Sequence, residues 1–300
     1  MKRRKYHPDF TAAITSSSAS LAIIIPPSLS MILYGAIADT SIVKLFVAGI
    51  VPGLLGAIGL AGACYYYAVK YDLPREEAFS IATLGKAFRE AFWALLLPVI
   101  ILGGIFGGFV TATEGAGIAV LAALVIGGLV YRELNLKILY RAVIEGVIQT
   151  AVVMLLVATS AVLGLFLTEM QLPQQLAREI SAITQDPVLV LALLNVLLLL
   201  LGMFLHGAAA IILVVPIVMP LVQQIGIDPI HFGLILTLNL AIGQQTPPVA
   251  SVLATSCSIA KTDMWSTTRV NLPMILVLFI VLMLVTYVPA IPMSLVNFFY

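Results

Sequence analysis

The sequence predicts an all-α polytopic membrane protein. Of its 300 residues, 61% are hydrophobic and 10% are charged, whereas soluble domains are about 45–50% apolar and about 25% charged. The mean hydropathy is +1.12. Apolar stretches recur along the whole length, and a helix that crosses the bilayer needs about 20 such residues. We therefore expect one membrane domain over residues 1–300, with no separate soluble domain.

The sequence lacks the residues that several classes of function require. Cys64 and Cys257 form no CxxC pair, and the three histidines are too scattered for a zinc site. The sequence has no GxxxxGK[ST] loop for ATP, and its formal net charge of +1 gives no basic surface for nucleic acid. It also has no GxSxG or GxGD motif for hydrolysis. We expect neither an enzyme nor a nucleic-acid-binding protein.

Apolar helical segments divide the chain into successive spans. Residues 187–225 are also apolar, but the sequence LHGAAA (205–210) interrupts them. This interruption predicts a re-entrant hairpin of two half-length helices that opens outward. Residues 74–92 and 173–185 mix charged and apolar positions, which is typical of helices that lie in the membrane interface. The predicted spans are 10–37, 42–69, 93–111, 112–131, 142–168, 230–256 and 272–290.

The distribution of lysine and arginine sets the orientation, because these residues collect in cytoplasmic loops. With residues 2–5 inside and a hairpin at 187–225, thirteen of the fifteen basic residues fall on the inner side. A single span at 187–225 would move Lys261 and Arg269 to the outside. We therefore expect a cytoplasmic N-terminus, with residues 297–300 on the outer side.

Two proline pairs interrupt apolar segments. Pro26 and Pro27 lie in IIIPPSLSMILYG (23–35), and Pro247 and Pro248 lie in GQQTPPVASVLATS (243–256). Superposing the pairs, which are 221 positions apart, aligns Ser30 with Ser251 and Ser18 with Asn239. The predicted orientation makes the two segments run in opposite directions. The sequence thus predicts an inverted repeat of two broken helices, although one proline pair alone would indicate only a kink for packing.

Broken helices at corresponding positions indicate the binding site of a secondary transporter. Proline removes a backbone donor and leaves earlier carbonyl groups unpaired. Such carbonyls are tolerated at membrane depth only when they are buried in protein or line a wet cavity. There, the carbonyl oxygens suit a hard cation such as Na⁺, and the positive N-termini of half-helices suit an anion.

These proline segments and four further stretches resemble the large membrane subunit of the tripartite ATP-independent periplasmic (TRAP) transporters, over essentially the whole chain. The further stretches are GGIFGGFVTATEGAGIAVLAALVIGGLVYREL (103–134), GMFLHGAAAIILVVPIVMP (202–220), IGIDPIHFGLILTLNLAIGQQTPPV (225–249) and SIAKTD (258–263).

The resemblance implies Na⁺-coupled uptake of small organic acids, such as dicarboxylates or sialic acid-like compounds, across a bacterial inner membrane by an elevator motion. It implies two partners, a small four-helix membrane subunit and a periplasmic substrate-binding protein, and a periplasmic C-terminus. It also implies transport and scaffold parts: the first broken helix with its following helix (10–69), scaffold and amphipathic helices (70–168), the hairpin with the second broken helix (187–256), and the last helix (272–290).

The resemblance also implies the site residues. Sodium ligands at the hairpin tip and the second break would be Gly207, Gly243, Thr246 and Val249. The repeat then gives Ala22, Ile25 and Ser28 at the first break. Candidates for the substrate cavity are Ser18, His206, Asn239 and Gln245. No metal other than Na⁺ and no organic cofactor is implied.

The sequence departs from the family pattern in three places. The hairpin tip has His206, Gly207 and Ala208 where the family has an acidic residue. This histidine permits coupling to H⁺, or it caps a half-helix or faces a vestibule. Gln244 and Gln245 replace apolar residues and either donate to substrate oxygens or satisfy broken backbone.

The third departure is length, because the family's large subunit is longer at its N-terminus. We expect the sequence to be a fragment, or another polypeptide to supply the missing part, and the chain alone not to transport. A non-transporting scaffold is the alternative. The sequence leaves the substrate, the ion stoichiometry and the oligomeric state open.

Overall fold

The computed structural model describes residues 1, 6–73, 80–171, 175, 178, 179, 184 and 186–300. The described part of the chain is helical and contains no strand. Seven of its helices are long and apolar enough to cross a membrane. These observations confirm the prediction of an all-α polytopic membrane protein.

Twelve α-helices lie within the described residues, and a short π-helical turn, Ile126–Val130, follows the fifth. In chain order they are α1 (Pro8–Leu21), α2 (Leu29–Ile37), α3 (Ile42–Lys70), α4 (Ile81–Phe106), α5 (Ala112–Val125), α6 (Leu136–Glu169), α7 (Pro187–Phe204), α8 (Gly207–Gln224), α9 (Pro229–Gly243), α10 (Ser251–Ala260), α11 (Met264–Tyr287) and α12 (Ala290–Phe299).

The chain forms two compact units. The first unit comprises Met1–Pro74 and Leu156–Tyr300, and the second comprises Arg75–Leu155. The first unit contains both proline pairs and the predicted hairpin. The second unit contains α4, α5 and the first part of α6, whose apolar side chains are mostly exposed.

Helix α9 lies in the core of the first unit. It packs against α7, α8, α11 and α3, and every residue after Pro229 is buried. A helix that is apolar on all sides is expected to be buried in this way. Tyr34 of α2 is fully buried, and its hydroxyl donates to the carbonyl of Pro229 at 2.6 Å. This contact fixes the second half of the first broken helix on the core helix.

Polar caps determine where several helices of the first unit begin. The Ser28 hydroxyl accepts from the Met31 N–H at 3.5 Å at the start of α2. Asp228 accepts from Ile230 N–H at 2.7 Å at the start of α9. Asp263 accepts from Trp265 N–H at 2.9 Å at the start of α11. Each cap satisfies a backbone donor that has no partner within its helix.

Several predicted helix boundaries differ from the structure. Helix α4 begins at Ile81, after the Ser80 cap, so no separate interfacial helix ends at 92. Helix α11 begins at Met264 rather than 272, because Asp263 caps it, and α12 follows it as a further helix. The predicted helix at 173–185 lies mostly outside the described residues.

The predicted hairpin also differs in length. Helices α7 and α8 each have 18 residues, so each is long enough to cross a membrane and neither is half-length. Apolar side chains fill both segments up to the interruption, which allows each helix to continue. The interruption itself lies where it was expected, at Leu205 and His206.

Candidate functional site

The turn between α7 and α8 consists of Leu205 and His206, both with extended backbone. His206 stands at the N-cap position of α8, but its side chain makes no capping hydrogen bond. The side chain is exposed and lines a cavity. His206 therefore makes no side-chain cap, and its side chain faces a cavity.

The end of α7 lies directly against the segment 244–250, which separates α9 from α10 and is called the second break here. The N–H groups of Val249 and Ala250 lie 3.3 and 3.4 Å from the carbonyl oxygen of Met203. A Cβ added to Gly243 would lie 2.6 Å from the backbone of Gly202. The hairpin and the second broken helix thus meet backbone to backbone.

The second break contains a run of unpaired carbonyl groups. The N–H groups of Gln245 and Thr246 bond to Ile242 and Gly243, and the carbonyl of Gln244 accepts from Val252 N–H at 3.1 Å. The five carbonyls from residue 245 to residue 249 accept no hydrogen bond from the described residues. Pro247 and Pro248 contribute to this arrangement because they have no N–H.

The first break, residues 22–28 between α1 and α2, has the same feature. The carbonyls of residues 24–27 accept no hydrogen bond from the part of the chain that the structure describes. The Ser28 hydroxyl lies 2.5 Å from the carbonyl oxygen of Ile23, to which it donates. The unpaired carbonyls of residues 24–27 correspond to those of residues 245–248 in the superposition of the proline pairs. Both breaks therefore have the unpaired carbonyls that the proline pattern predicted.

One cavity of about 320 Å³ brings the two breaks and the hairpin tip together. Its wall includes the first break, the start of α2, the hairpin tip, Gln244 and Val252. No acidic side chain is among the lining residues, all of which lie in the described part of the chain. The polar lining groups are Ser28, Ser30, His206 and Gln244.

Two helix N-termini open onto this cavity. Leu29 and Ser30 begin α2, and Gly207 and Ala208 begin α8. Their four N–H groups donate to no acceptor within the described residues. Unpaired N–H groups and the helix dipole together make such ends favourable for anions.

The cavity contains four of the predicted site residues, Ala22, Ser28, His206 and Gly207. Ile25 is instead directed at α3, where its Cγ1 would lie 2.8 Å from a Cβ on Gly53. Ser18 is exposed and lies outside the cavity wall.

The remaining predicted ligands belong to the second break and its edge. Thr246 is half-buried, and its hydroxyl donates to the carbonyl of Ile242 at 2.9 Å. Val249 is 48% exposed. Gly243 is buried, and its carbonyl accepts from the N–H of Thr246 at 2.9 Å. None of these three residues lines the cavity.

Two predicted cavity residues are fully buried in the protein instead. The Asn239 amide donates to Asn195 Oδ1 at 2.7 Å and to the Ile235 carbonyl at 2.8 Å. Gln245 Oε1 accepts from Ser17 Oγ and from Asn271 Nδ2, each at 3.0 Å. These two residues do not face the cavity because their amides are held by polar side chains of other helices.

Gln244 lines the cavity, although it was not among the predicted site residues. Its Nε2 donates at 3.2 Å to the carbonyl of Leu240, which also accepts from the backbone N–H of Gln244 at 3.0 Å. The same nitrogen would lie 2.9 Å from a Cβ on Gly207. Asn195 and Asn271 were also missed, although an isolated asparagine within an apolar helix indicates a buried polar contact.

Several known proteins are similar in sequence to this chain along nearly its whole length. A family model described as the tripartite ATP-independent periplasmic transporter, DctM component, matches residues 1–291. The isethionate TRAP transporter permease protein DctMQ of Oleidesulfovibrio alaskensis is 40% identical over 98% of this chain. The sialic acid TRAP transporter large permease protein SiaM of Vibrio cholerae is 40% identical over 96%. The C4-dicarboxylate TRAP transporter large permease protein DctM of Pseudomonas aeruginosa is 36% identical over 99%.

These relatives are longer than this sequence. The chain spans 46% of the first relative, and 68% and 70% of the other two. All three carry the names of transporter permeases, which agrees with the prediction that the chain is not an enzyme. Because the family model covers residues 1–291, the chain belongs to the DctM component family of tripartite ATP-independent periplasmic transporters.

Proposed function

We propose that this chain forms the membrane pathway of a secondary transporter that takes up small organic acids, driven by Na⁺. The observation that supports it most directly is the cavity at the hairpin tip. Two helix N-termini, whose first N–H groups have no acceptor among the described residues, open onto that cavity, and no acidic side chain in that part of the chain lines it. A carboxylate or sulfonate would accept hydrogen bonds there and benefit from both helix dipoles.

The two breaks are the proposed Na⁺ sites. Na⁺ is a hard cation that binds oxygen ligands, and backbone carbonyls supply them at residues 24–27 and 245–249. Thr246 is the proposed side-chain ligand, because its hydroxyl proton is directed at the Ile242 carbonyl while its oxygen keeps a lone pair. The proposed ligands further include Gly207, Gly243, Val249, Ala22, Ile25 and Ser28.

The names of the relatives support the proposed class of substrate. Isethionate, sialic acid and C4-dicarboxylates are all small organic acids. The cavity suits the anionic group, carboxylate or sulfonate, that each of these compounds carries. The proposal does not choose among them, since no arginine among the described residues lines the cavity to select a second acid group.

The proposed assembly follows the family. A periplasmic binding protein would deliver the substrate, and a small four-helix membrane subunit would complete the scaffold. The chain would lie in a bacterial inner membrane, with its N-terminus cytoplasmic and its C-terminus periplasmic. The two broken helices would form an inverted repeat that moves as part of an elevator.

Uptake of labelled organic acids into proteoliposomes tests this function. The vesicles would contain the chain with a candidate small subunit and a candidate periplasmic binding protein, and each component would be omitted in turn. Isethionate, a sialic acid and a C4-dicarboxylate would be compared with a neutral sugar. The proposal predicts uptake of an acid only when all components are present. Absence of uptake of every acid by a correctly folded assembly would favour a non-transporting scaffold.

A further inference from the structure

Three polar side chains form a closed ring inside the first unit: Ser17 of α1, Gln245 in the second break, and Asn271 of α11. Gln245 Oε1 accepts from Ser17 Oγ and from Asn271 Nδ2, each at 3.0 Å. Ser17 Oγ also lies 2.6 Å from Asn271 Oδ1. Ser17 is 1% exposed, and the two amides are fully buried.

The ring is not fully satisfied in this arrangement. The Ser17 hydroxyl has one proton and two acceptors within reach, so it satisfies only one of them at a time. Gln245 Nε2 has no hydrogen-bond partner among the described residues, although it is buried. Unpartnered buried polar groups are destabilising, and an apolar side chain at this position would avoid that cost. Stability alone therefore does not explain the ring.

The ring has a second arrangement with the same atomic positions. Turning the amides of both Gln245 and Asn271 exchanges their oxygen and nitrogen atoms. Gln245 Nε2 then donates to Ser17 Oγ and to Asn271 Oδ1, and Asn271 Nδ2 donates to Ser17 Oγ. The Gln245 oxygen in turn occupies the position without a partner. The same heavy-atom positions therefore allow two alternative hydrogen-bond arrangements of the ring.

The ring includes a residue of the second break and a residue of the helix that leads into the first break. Gln245 lies within the second break, and its own backbone carbonyl is the first of the five that accept no hydrogen bond. Ser17 lies on α1, the helix that leads into the first break, and α1 also packs against α10 and α11. The ring therefore connects the first broken helix to the break of the second through side chains.

We propose that Gln245 is a positioning residue that couples the two breaks, so that cation binding at one favours binding at the other through the Ser17–Gln245–Asn271 ring. Coupling requires an element with two states that both sites influence, and in this proposal the two hydrogen-bond arrangements of the ring are those states. The inference rests on the proposed function, which assigns Na⁺ to the breaks.

Thermal unfolding of the purified transporter as a function of Na⁺ tests the coupling without measuring transport. Choline would replace Na⁺ at constant ionic strength. A bound ion raises the unfolding temperature by mass action, so the titration gives the half-saturating concentration and the steepness. In Gln245→Leu, we expect half-saturation at about fivefold higher Na⁺, the lower end of typical coupling, and a Hill coefficient reduced toward one.

Thr237→Val is the matched control. Thr237 is fully buried in α9, and within the described residues its hydroxyl bonds only to the carbonyls of Gly233 and Leu234 of its own helix. We expect this variant to lower the unfolding temperature while the Na⁺ half-saturation is unchanged. Ser17→Ala should behave like Gln245→Leu, and the double variant should add no further change, because both act through one ring.

Three outcomes decide the question. If Gln245→Leu and Ser17→Ala keep the normal half-saturation and steepness, whatever their unfolding temperatures, the ring is only structural and the inference is overturned. If Gln245→Leu does not fold, Ser17→Ala decides by the same criterion. If the unmodified transporter shows no response to Na⁺, the proposed ion sites fail, and the inference fails with them.

Discussion

Gly202 of α7 and Gly243 of α9 contact each other through their backbones, since a Cβ on Gly243 would lie 2.6 Å from both Cα and the carbonyl carbon of Gly202. The contact places the end of α7 against the second break and allows Met203 to accept from Val249 and Ala250. Gly243 requires glycine for this approach, because a side chain there would collide with backbone, whereas a Cβ on Gly202 would lie 3.2 Å from the Cα of Gly243 and be tightly packed. The contact thus fixes the hairpin tip relative to the unpaired carbonyls.

The first prediction concerns this contact. Gly243→Ala would introduce a methyl group against backbone that cannot move aside, and overpacking of this kind costs about 1–3 kcal/mol. We expect a lower unfolding temperature in detergent and loss of uptake. Gly62→Ala is the control, because a Cβ on Gly62 meets nothing within 4 Å. Equal unfolding temperatures for the two variants would show that the helices are not held at this contact.

The second prediction separates stability from substrate binding. A Cβ on Gly207 would meet the end of the Gln244 side chain at 2.9 Å, and a side chain moves more readily than backbone. Gly207→Ala should therefore keep most of the stability but displace the Gln244 amide within the cavity. We expect a higher KM for substrate with an unfolding temperature closer to normal than that of Gly243→Ala. A normal KM would exclude Gln244 from the binding surface.

The third prediction tests whether the cavity holds an anion. A carboxylate in His206→Asp would repel a bound acid group, and about 1.4 kcal/mol of repulsion corresponds to about tenfold in affinity. We expect KM for the acid substrate to rise about tenfold, while the uncharged His206→Asn changes it little. If the aspartate lowered KM, the cavity beside His206 would not hold the acid group. A stronger response to Na⁺ alone would instead support the proposed Na⁺ site that includes Gly207.

The fourth prediction concerns Thr246. Thr246→Ala removes the hydroxyl that bonds to the Ile242 carbonyl, and such a bond contributes about 1 kcal/mol to stability. If the hydroxyl oxygen also binds Na⁺, the half-saturating Na⁺ concentration for uptake should rise, and Thr246→Ser should restore it. An unchanged Na⁺ dependence in Thr246→Ala would limit the residue to a structural role.

Local chemistry made part of this protein predictable from its sequence. The apolar segments predicted helices, and Pro26–Pro27 and Pro247–Pro248 predicted two breaks with unpaired carbonyls, because proline has the same effect in any helix. The interruption at His206 was also visible, since it divides a long apolar run. These features depend on residues that are near one another in the chain.

Long-range packing made the rest unpredictable. Ser17 and Asn271 contact Gln245 from distant parts of the chain, so nothing near Gln245 indicated that its side chain is buried in a ring rather than exposed to substrate. Asn239 is likewise held by Asn195 across a helix interface. The predicted helix ends were wrong where a single capping residue, such as Asp263, sets the first residue of the helix. Ile25 was predicted as a sodium ligand from the symmetry of the two breaks. Its side chain instead packs over Gly53 of α3, and α3 is not part of either break.

The most direct test of the account is the initial rate of organic acid uptake into proteoliposomes that contain the chain and both partners, with and without an inward Na⁺ gradient. The membrane potential would be clamped, and choline would replace Na⁺ outside in the control. We predict concentrative uptake only when the Na⁺ gradient is present. Equal uptake with and without the gradient would contradict Na⁺ coupling at the two breaks.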